Sequence, residues 1–381
     1  MSGPLEGIKI VEFAGIGPGP MCAMLLADLG AKVLRIDRKT PADLGIPRPP
    51  KYDTLLRNRD SIALDLKRPE SLELALELIG SADGLIEGFR PGTMERLGLG
   101  PNICLARNPG LVYGRITGWG QEGPLAPFAG HDINYLSITG VLDAIGPAHG
   151  PPSVPLNIVG DYAGGSLYLA VGMLAAILHA RRSGHGQVVD AAIVDGVAHL
   201  SATYFGMLAA GIWQQGRSNN IVDGGAPFYG CFECLDGKFI SVGPVEKKFF
   251  DQLARTLGVD PEELAPHMDR FRWPKIRSVF SERFREKTSA QWAALLEHTD
   301  ACATGVVSFS EAPFHPHMLA RQTFVDVDGV TQPAPAPRFS VTKTAPPHGP
   351  RPRTGDEAVQ VVADWLSPSR AEDLRAMAAF N

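Results

Sequence analysis

The N-terminal part of the chain alternates between short apolar runs and longer segments in which apolar residues recur every three or four positions. The apolar runs predict buried β-strands, and the periodic segments predict helices. The predicted strands are Gly7–Ala14, Lys32–Arg38, Ser61–Leu66, Gly84–Phe89 and Leu111–Gly120, with helices at Gly19–Ala31 and 69–82. This βαβ alternation predicts an α/β fold whose large domain has a mostly parallel sheet with Rossmann-like units.

Two long apolar stretches follow, Tyr162–His179 and Val188–Trp213. A membrane span needs about 20 apolar residues with few charges. The first stretch contains three glycines and two tyrosines, and the second carries Asp190, Asp195 and His199. We therefore predict that both form buried helices, at a large subunit interface, and that neither enters a membrane.

In the C-terminal half the apolar residues follow a different pattern. Residues 226–243 alternate with period two around Asp236-Gly237, which predicts a β-hairpin, and Glu246–Gly258 has the period of a helix. The predicted organisation is a large α/β domain over residues 1–222, with long linking helices, and a smaller α+β domain over 223–324. Residues 325–381 are predicted to link back to the large domain.

Composition and charge narrow the class of protein. The chain has 381 residues and a formal net charge of −5, which argues against nucleic acid or a membrane surface as the main partner. The N-terminal sequence lacks the basic and apolar regions of a signal peptide. The five cysteines are odd in number and scattered, as is usual for reduced thiols. We therefore expect a cytoplasmic protein.

Three motifs suggest cofactors but do not have the required pattern. "GIGPGP" (Gly15–Pro20) follows a strand and opens a helix, but its glycine spacing is not that of a dinucleotide site, and its prolines remove amide donors. We interpret it as a tight turn that brings the backbone close to another group. "CFEC" (231–234) is a lone pair of strand thiols, and "HPH" (315–317) lacks accompanying carboxylates. The sequence therefore predicts no nicotinamide cofactor and no metal.

Acid/base chemistry is suggested by two helix starts. In "FAGHDINYLSITG", Asp132 is placed to cap the helix that follows, whereas His131 lies just outside it and is free to face a cleft. Amides at this helix start could stabilise an oxyanion. Asp161 precedes a second helix, whose Gly164 and Gly165 would let a ligand approach. His131 and Asp161 would make an acid/base pair for a carbon acid.

A colinear set of motifs covers nearly the whole chain: "VEFAGIGPGP", "LGAKVLRIDR", "RNRDSIALDLK", "EGFRPGTMERLGLG", "YGRITGWGQEGP", "AGHDINYLSITG", "GDYAGGS", "GQVVDAAIVDG" and "DGGAPFYGCFECLDGKFISVG". With these motifs the chain resembles the family III CoA-transferase superfamily, and within it the α-methylacyl-CoA racemases, especially those of bacteria. The resemblance implies an interlocked homodimer. It also implies that the active site lies between the large domain of one subunit and the small domain of the other.

The resemblance also implies roles for individual residues. His131 and Asp161 would be the catalytic acid/base groups, and Glu246 would orient the histidine. Asn157 and Tyr229 match neighbours of the site. The matching positions for substrate and CoA binding, with basic residues for the CoA phosphates, are Ile16, Arg38, Leu64, Asp65, Leu66, Lys67, Gly88, Phe89, Arg90, Arg96, Gly130, Asp132 and Tyr135. CoA would be part of the substrate, and no separate cofactor is implied.

The expected reaction is inversion of the α-carbon of a 2-methylacyl-CoA, through an enolate that is deprotonated on one face and reprotonated on the other. One alternative is a CoA-transferase with Asp161 as nucleophile, although transferases usually lack a histidine at position 131. Another is an acyl-CoA-binding protein without catalysis. Related racemases often carry an acidic residue where this chain has Gly230, and the loop 39–53 has its own length. The acyl chain stays open.

Overall fold

A computed structural model describes residues 3–40 and 45–376 of the chain. The chain divides into two compact units. The large unit comprises Met1–Thr139, Leu156–Leu200 and His317–Asn381, and the small unit comprises Gly140–Pro155 and Ser201–Pro316. Residues 140–155 and 201–222 thus group with the small unit in this division, whereas the sequence pattern assigned them to the large domain; residues 317–324, predicted in the small domain, group with the large unit.

The strands of the described residues lie close to the predicted ones where the two can be compared. The N-terminal strands are β1 (Lys9–Phe13), β2 (Lys32–Arg38), β3 (Asp60–Leu64), β4 (Gly84–Glu87), β5 (Val112–Thr117) and β6 (Val188–Ala192). The others are β7 (Gly230–Glu233), β8 (Phe239–Val242), β9 (Ala303–Gly305), β10 (Phe324–Val327), β11 (Val330–Pro333) and β12 (Arg351–Arg353).

The helices of the first half are α1 (Pro18–Asp28), α2 (Pro69–Gly80), α3 (Thr93–Arg96), α4 (Pro101–Arg107), α5 (Asp132–Ile138), α6 (Tyr168–Ser183), α7 (Ile193–Leu200) and α8 (Ala202–Ala209). A π-helical segment, Ile158–Leu167, leads directly into α6. The remaining helices are α9 (Lys247–Thr256), α10 (Pro261–Leu264), α11 (Trp273–Phe284), α12 (Ser289–Leu296), α13 (Pro316–Ala320), α14 (Gly355–Leu366) and α15 (Ala371–Ala376).

A seven-stranded sheet organises the large unit, in the order β12-β3-β2-β1-β4-β5-β6. All of its strand pairs are parallel, which confirms the predicted α/β fold. The order runs outward from β1 to β2 and β3 on one side and from β4 to β6 on the other, so the winding reverses between β1 and β4. Open sheets of this kind bind ligands at the carboxyl ends of their strands, at such a reversal point.

Apolar side chains from α2, α4 and α14 cover part of this sheet. Leu74 and Leu78 of α2 and Trp365 of α14 are completely buried, and the Trp365 indole donates a hydrogen bond to the Leu78 carbonyl. Strand β12 pairs with β3 at the edge of the sheet. The C-terminal segment therefore packs into the core of the large unit.

Helix α6 packs against the central strands. A Cβ atom at Gly84 or Gly114 would come within 2.6 Å of the Met173 side chain, so these glycines let α6 approach the sheet closely. By length and composition, Ile158–Ser183 could also cross a membrane, the one such stretch found in the described ranges. Its contacts with β5, β6 and α1 are those of a core helix. The prediction of a buried helix at Tyr162–His179 holds for one face only, since Leu169 and Met173 are buried whereas Val171 and Leu178 are exposed.

The prediction for Val188–Trp213 is wrong. Its first five residues form the edge strand β6, and the rest forms two short helices, α7 and α8, with none of the α8 residues buried. A continuous apolar run does not distinguish a strand from a helix by period. Here the β-branched residues Val188 and Val189 pair with Tyr113 and Gly114 of β5, and this pairing determines the conformation.

The small unit is an α+β structure around an antiparallel sheet, β7-β8-β9. The predicted hairpin is confirmed: β7 and β8 pair on either side of a turn in which Gly237 has a φ of +73°. The predicted helix at 246–258 is α9. Aromatic side chains fill the core of this unit, namely Phe228, Phe232, Phe250, Phe280, Phe284 and Trp292.

Candidate active site

Asp161 lies on the π-helical segment, in the large unit. Such wide helical turns are rare and occur often at functional sites. The amide group of Asn157 donates a hydrogen bond of 3.3 Å to Asp161 Oδ2. Gly17, in the turn between β1 and α1, has a φ of +65°, and a Cβ there would lie 3.2 Å from the same oxygen. The "GIGPGP" turn therefore brings backbone against the Asp161 carboxylate.

His131 occupies the N-cap position of α5 with an extended backbone and an exposed side chain. Its backbone N–H donates a 3.0 Å hydrogen bond to Asn134 Oδ1, on the first turn of the helix. This bond fixes the backbone of His131 without using the imidazole. The backbone at the start of α5 is therefore fixed, and the exposed imidazole projects from it.

Asp132 does not cap α5, and that prediction is wrong. It is the first residue of the helix, and its carboxylate turns away towards the π-helical segment. Asp132 Oδ1 accepts the N–H of Asp161 at 2.6 Å, and the Asp132 carboxyl also interacts with the backbone N–H of Gly160. An acidic residue before an apolar periodic segment usually caps that segment, but here the helix start of a distant segment competes for the same carboxylate.

Burial raises the pKa of the Asp161 carboxyl from its ordinary value of 3.8 to about 6. Burial is the largest cause of this raised pKa, and the neighbouring Asp132 carboxylate contributes in the same direction, whereas the hydrogen bond from Asn157 and the charge of His131 oppose it. His131 and Asp161 therefore belong to one electrostatically coupled group within the large unit. A carboxyl with a pKa near 6 can both accept and release a proton around neutral pH, as a general acid/base requires.

Tyr135, Trp119 and Gly118 form a wall beside these groups. The Tyr135 hydroxyl donates a hydrogen bond to the Gly130 carbonyl, and its ring meets Trp119 edge-on with 4.7 Å between centroids. A Cβ at Gly118 would lie 2.0 Å from Tyr135 Cζ, so no larger residue fits there. Burial raises the pKa of Tyr135 to about 12, which keeps its hydroxyl protonated.

Sequence reasoning missed Trp119 and Gly118 as parts of the site. The available signal was the motif "TGWG", an aromatic residue between glycines at the end of β5. Such a loop lies at the carboxyl edge of a parallel strand, where sites of this fold occur.

Gly164 and Gly165 do not provide access for a ligand, contrary to the prediction. Both are buried, and a Cβ at Gly164 would lie 2.6 Å from a methyl group of Val197 on α7. A Cβ at Gly165 would come within 3.2 Å of Ile193 and Pro18. These glycines allow α7 and α1 to pack directly on the π-helical segment. The two helices therefore fix the position of the segment that carries Asp161.

The residues expected at the CoA portion follow neighbouring strands at the carboxyl edge of the sheet. Arg38 ends β2 and pairs in register with Leu64, which ends β3. Beyond Leu64, Asp65 Oδ1 accepts the N–H of Lys67 and turns the chain. The structure thus brings Arg38 and the segment 64–67 side by side, and Ile16 follows β1 at the same edge.

The segment 88–90 follows β4 at this edge and is fixed by a buried carboxylate. Glu87 Oε2 accepts the N–H of Phe89 at 2.7 Å, and Arg115 pairs with the other Glu87 oxygen at 2.8 Å. The Arg38 guanidinium lies 5.7 Å from the centre of the Phe89 ring. Arg96 lies one short helix further on, in α3, where it donates a hydrogen bond to Thr93.

Glu246 and Tyr229 lie in the small unit. Glu246 is the N-cap residue of α9, and its charge adds to the effect of burial in raising the pKa of the Cys302 thiol. Tyr229 is 40% exposed and packs near Gly243. Their place beside His131 stays a prediction.

The cysteines of the "CFEC" motif do not form part of a metal site in the described residues. Cys231 is exposed on β7 and Cys234, just beyond it, is buried. Across the ranges that the structure describes, no group of three or more His, Cys, Asp or Glu residues could hold a metal ion.

Comparison with known proteins identifies the family of this chain. The model of CoA-transferase family III matches residues 5–358. The chain belongs to that family. Alpha-methylacyl-CoA racemase of Mus musculus is 41% identical over 362 residues, which cover 95% of this chain and 93% of that protein. The human protein of the same name is 40% identical over 364 residues, with the same coverage.

More distant relatives include transferases. Succinyl-CoA–D-citramalate CoA-transferase of Chloroflexus aurantiacus is 30% identical over 344 residues, which cover 85% of this chain and 83% of that protein. Among solved structures, a CAIB/BAIF family protein from Brucella suis matches with a TM-score of 0.81 and 25% identity, and covers 96% of this chain and 100% of that one. The fold and the family are therefore those expected from the motifs.

Proposed function

We propose that this protein is an α-methylacyl-CoA racemase, which inverts the α-carbon of 2-methylacyl-CoA thioesters. The observation that carries the proposal is the pairing of His131 with a half-buried Asp161 whose pKa is raised to about 6. Relatives at 41% and 40% identity over 95% of the chain carry that name, which supports the same assignment. A protein that only binds acyl-CoA has no need of such a pair.

The thioester makes the α-hydrogen acidic, so removal of that proton gives an enolate. One member of the pair removes the proton from one face, and the other delivers a proton to the opposite face. The roles of His131 and Asp161 are exchanged for the other enantiomer. Acid–base catalysis of this kind contributes about 10²–10⁴-fold.

The enolate oxygen also needs stabilisation. We assign it to the first backbone amides of α5, which point out of the helix start and follow His131 directly. Because α5 has only seven residues, individual N–H donors contribute more than a long helix dipole would. In this proposal the two side chains, the amides and the acidity of the thioester carry the reaction, with no metal and no separate cofactor. We also propose a cytoplasmic enzyme, in keeping with its five free cysteines.

The rival activity within the family is CoA transfer, which the Chloroflexus relative represents. There the Asp161 carboxylate would attack the thioester carbonyl, release CoA as thiolate and form an acyl anhydride. Two measurements separate these activities. Supplied separately, the R and S thioesters should converge on the same mixture. Treatment with hydroxylamine or borohydride, followed by mass spectrometry, should leave the Asp161 peptide unmodified; a modified peptide that appears only with acyl-CoA would favour the transferase.

We further propose a homodimer. Helix α8 and the residues after it expose Tyr204, Phe205, Leu208 and Ile212 in the single chain. Contiguous apolar surface of this kind marks protein–protein contacts. Light scattering coupled to gel filtration should give twice the mass of one chain at micromolar concentration, and a monomer would contradict this.

Arg38→Ala should raise KM for an acyl-CoA by about 10- to 100-fold with kcat nearly unchanged. A charge-assisted bond to a phosphate is worth about 1.5–3 kcal/mol, and a phosphate remote from the α-carbon contributes equally to ground state and transition state. Arg107→Ala is the matched control, since Arg107 is an exposed arginine at the last residue of α4, which leads to the amino end of β5. Steady-state kinetics of both variants test this, and a fall in kcat alone would exclude a phosphate contact.

The rate of inversion should fall below about pH 6. The active pair carries one proton, and below the pKa of Asp161, raised by burial to about 6, it takes up a second. The profile of kcat/KM should have the same shape for both enantiomers, because their equilibrium constant does not depend on pH. Asn157→Ala removes a hydrogen bond that lowers this pKa, so the acid limb should move to higher pH. A limb that stays or moves to lower pH would contradict the assignment.

A further inference from the structure

The Asp132 carboxylate connects the starts of the two segments that carry the acid/base pair. It belongs to α5, directly after His131. Its Oδ1 accepts the N–H of Asp161, and the carboxyl also interacts with the N–H of Gly160. The bond to the Asp161 N–H is 2.6 Å long. Asp132 therefore holds the backbone of the residue whose carboxylate is the second acid/base group.

Gly160 lies directly against this carboxylate, where a side chain would not fit. A Cβ at Gly160 would lie 2.3 Å from Asp132 Oδ1 and 2.8 Å from its Cγ, so no other residue fits without moving the carboxylate. Gly160 is also buried. This close approach therefore depends on both Asp132 and Gly160, which lie far apart in the sequence.

Stability does not explain the placement of Asp132. The residue is only 7% exposed, and its Oδ2 atom is buried without a hydrogen-bond partner in the described part of the chain. Burial raises the pKa of this carboxyl. A buried carboxylate with an unsatisfied oxygen is unfavourable, and such violations of packing rules occur at functional sites.

We propose that Asp132 is a positioning residue, which fixes the Asp161 side chain at the reacting carbon by accepting the two backbone N–H groups at Gly160 and Asp161. The inference rests on the proposed racemase function. Asn157 holds one oxygen of the Asp161 carboxylate, and Asp132 holds the main chain beneath it. A displacement of about 1 Å at a reacting group can reduce the rate by ~10²-fold.

Exchange of the α-hydrogen in deuterated water, measured separately for the R and S thioesters, tests this role. Asp132→Ala should reduce exchange by ~10²-fold for the enantiomer that Asp161 deprotonates, which is the one whose exchange is lost in Asp161→Ala. Exchange of the other enantiomer, which His131 deprotonates, should stay within about threefold of the wild type, because the Asn134 bond that fixes His131 is retained. Ser137→Ala is the control on the same helix, because the Ser137 hydroxyl bonds only to the Ile133 carbonyl of its own helix.

Asp132→Asn keeps an oxygen that can accept both N–H groups and should restore most of the lost exchange. Thermal melting of each variant is measured alongside. If Asp132→Ala does not fold, a folded Asp132→Asn variant still tests the role of Asp132. An equal loss for both enantiomers in Asp132→Ala, or no rescue in a folded Asp132→Asn, would overturn the positioning role. If the wild type itself exchanges neither enantiomer, the proposed function fails instead, so the two failures are distinguishable.

Discussion

His131→Ala should abolish inversion and still allow exchange of the α-hydrogen of one enantiomer with solvent. The two acid/base groups serve opposite faces, so the variant retains Asp161 for one face and has no proton donor for the other. Inversion should fall by about 10²–10⁴-fold or more, the usual contribution of such a group. Exchange of the enantiomer that presents its α-hydrogen to Asp161 should remain measurable.

Asp161→Ala should give the mirror pattern, with exchange confined to the other enantiomer. Both variants are expected to fold. The hydrogen bond that fixes His131 uses its backbone N–H, which alanine keeps, and the Asp161 carboxylate is a partly buried charge whose removal relieves the cost of burial. Circular dichroism is the folding control. Equal residual exchange of both enantiomers in each variant would mean that one base serves both faces.

Gly196→Ala should destabilise the large unit more strongly than an ordinary core substitution. Gly196 lies on α7, and a Cβ there would lie 1.8 Å from the Gly164 carbonyl oxygen and 2.7 Å from its carbon. Overpacking usually costs about 1–3 kcal/mol, and here both contacting groups are backbone, so no side chain can move aside. We expect a loss of at least about 3 kcal/mol, a fall in the melting temperature on the order of 5–10 °C, and loss of activity because Asp161 stands on the displaced segment.

Gly110→Ala is the matched control for this substitution. Gly110 precedes β5 in the same unit, and its nearest neighbour outside the adjoining residues would lie 3.6 Å from an added Cβ, an ordinary contact. Its melting temperature and activity should match those of the wild type, within about 0.5 kcal/mol in stability. A Gly196→Ala variant that melts with the control would show that α7 does not pack on the π-helical segment as described.

Local patterns were sufficient for the elements that local rules determine. Strand β2 has the predicted bounds, Lys32–Arg38, because a β-branched apolar run between a glycine and charged residues has few alternatives. The β7–β8 hairpin was predictable because Asp236-Gly237 favours a tight turn. The motifs that carry the resemblance also placed Arg38, Leu64 and Phe89 at one edge, since neighbouring parallel strands end there.

Features that depend on contacts between distant segments were not predictable from these patterns. Asp132 has the sequence context of a cap, but its partner amides are 28 and 29 residues further along the chain. In the sequence, Gly164 and Gly165 suggest space for a ligand. In the fold, α7 packs against them and fills that space. Val188 and Val189 became a strand because β5 offers a free edge. Each of these misses concerns tertiary packing rather than propensity.

The proposed racemase moves a proton on and off the α-carbon of a 2-methylacyl-CoA. The most direct test is proton NMR of a single enantiomer of such a thioester, incubated with the wild-type enzyme in deuterated water. We expect the α-proton signal to disappear and the α-methyl doublet to collapse to a singlet, while chiral analysis shows both configurations. An α-proton signal that persists at all acyl chain lengths tried, with substrate bound and configuration unchanged, would contradict it.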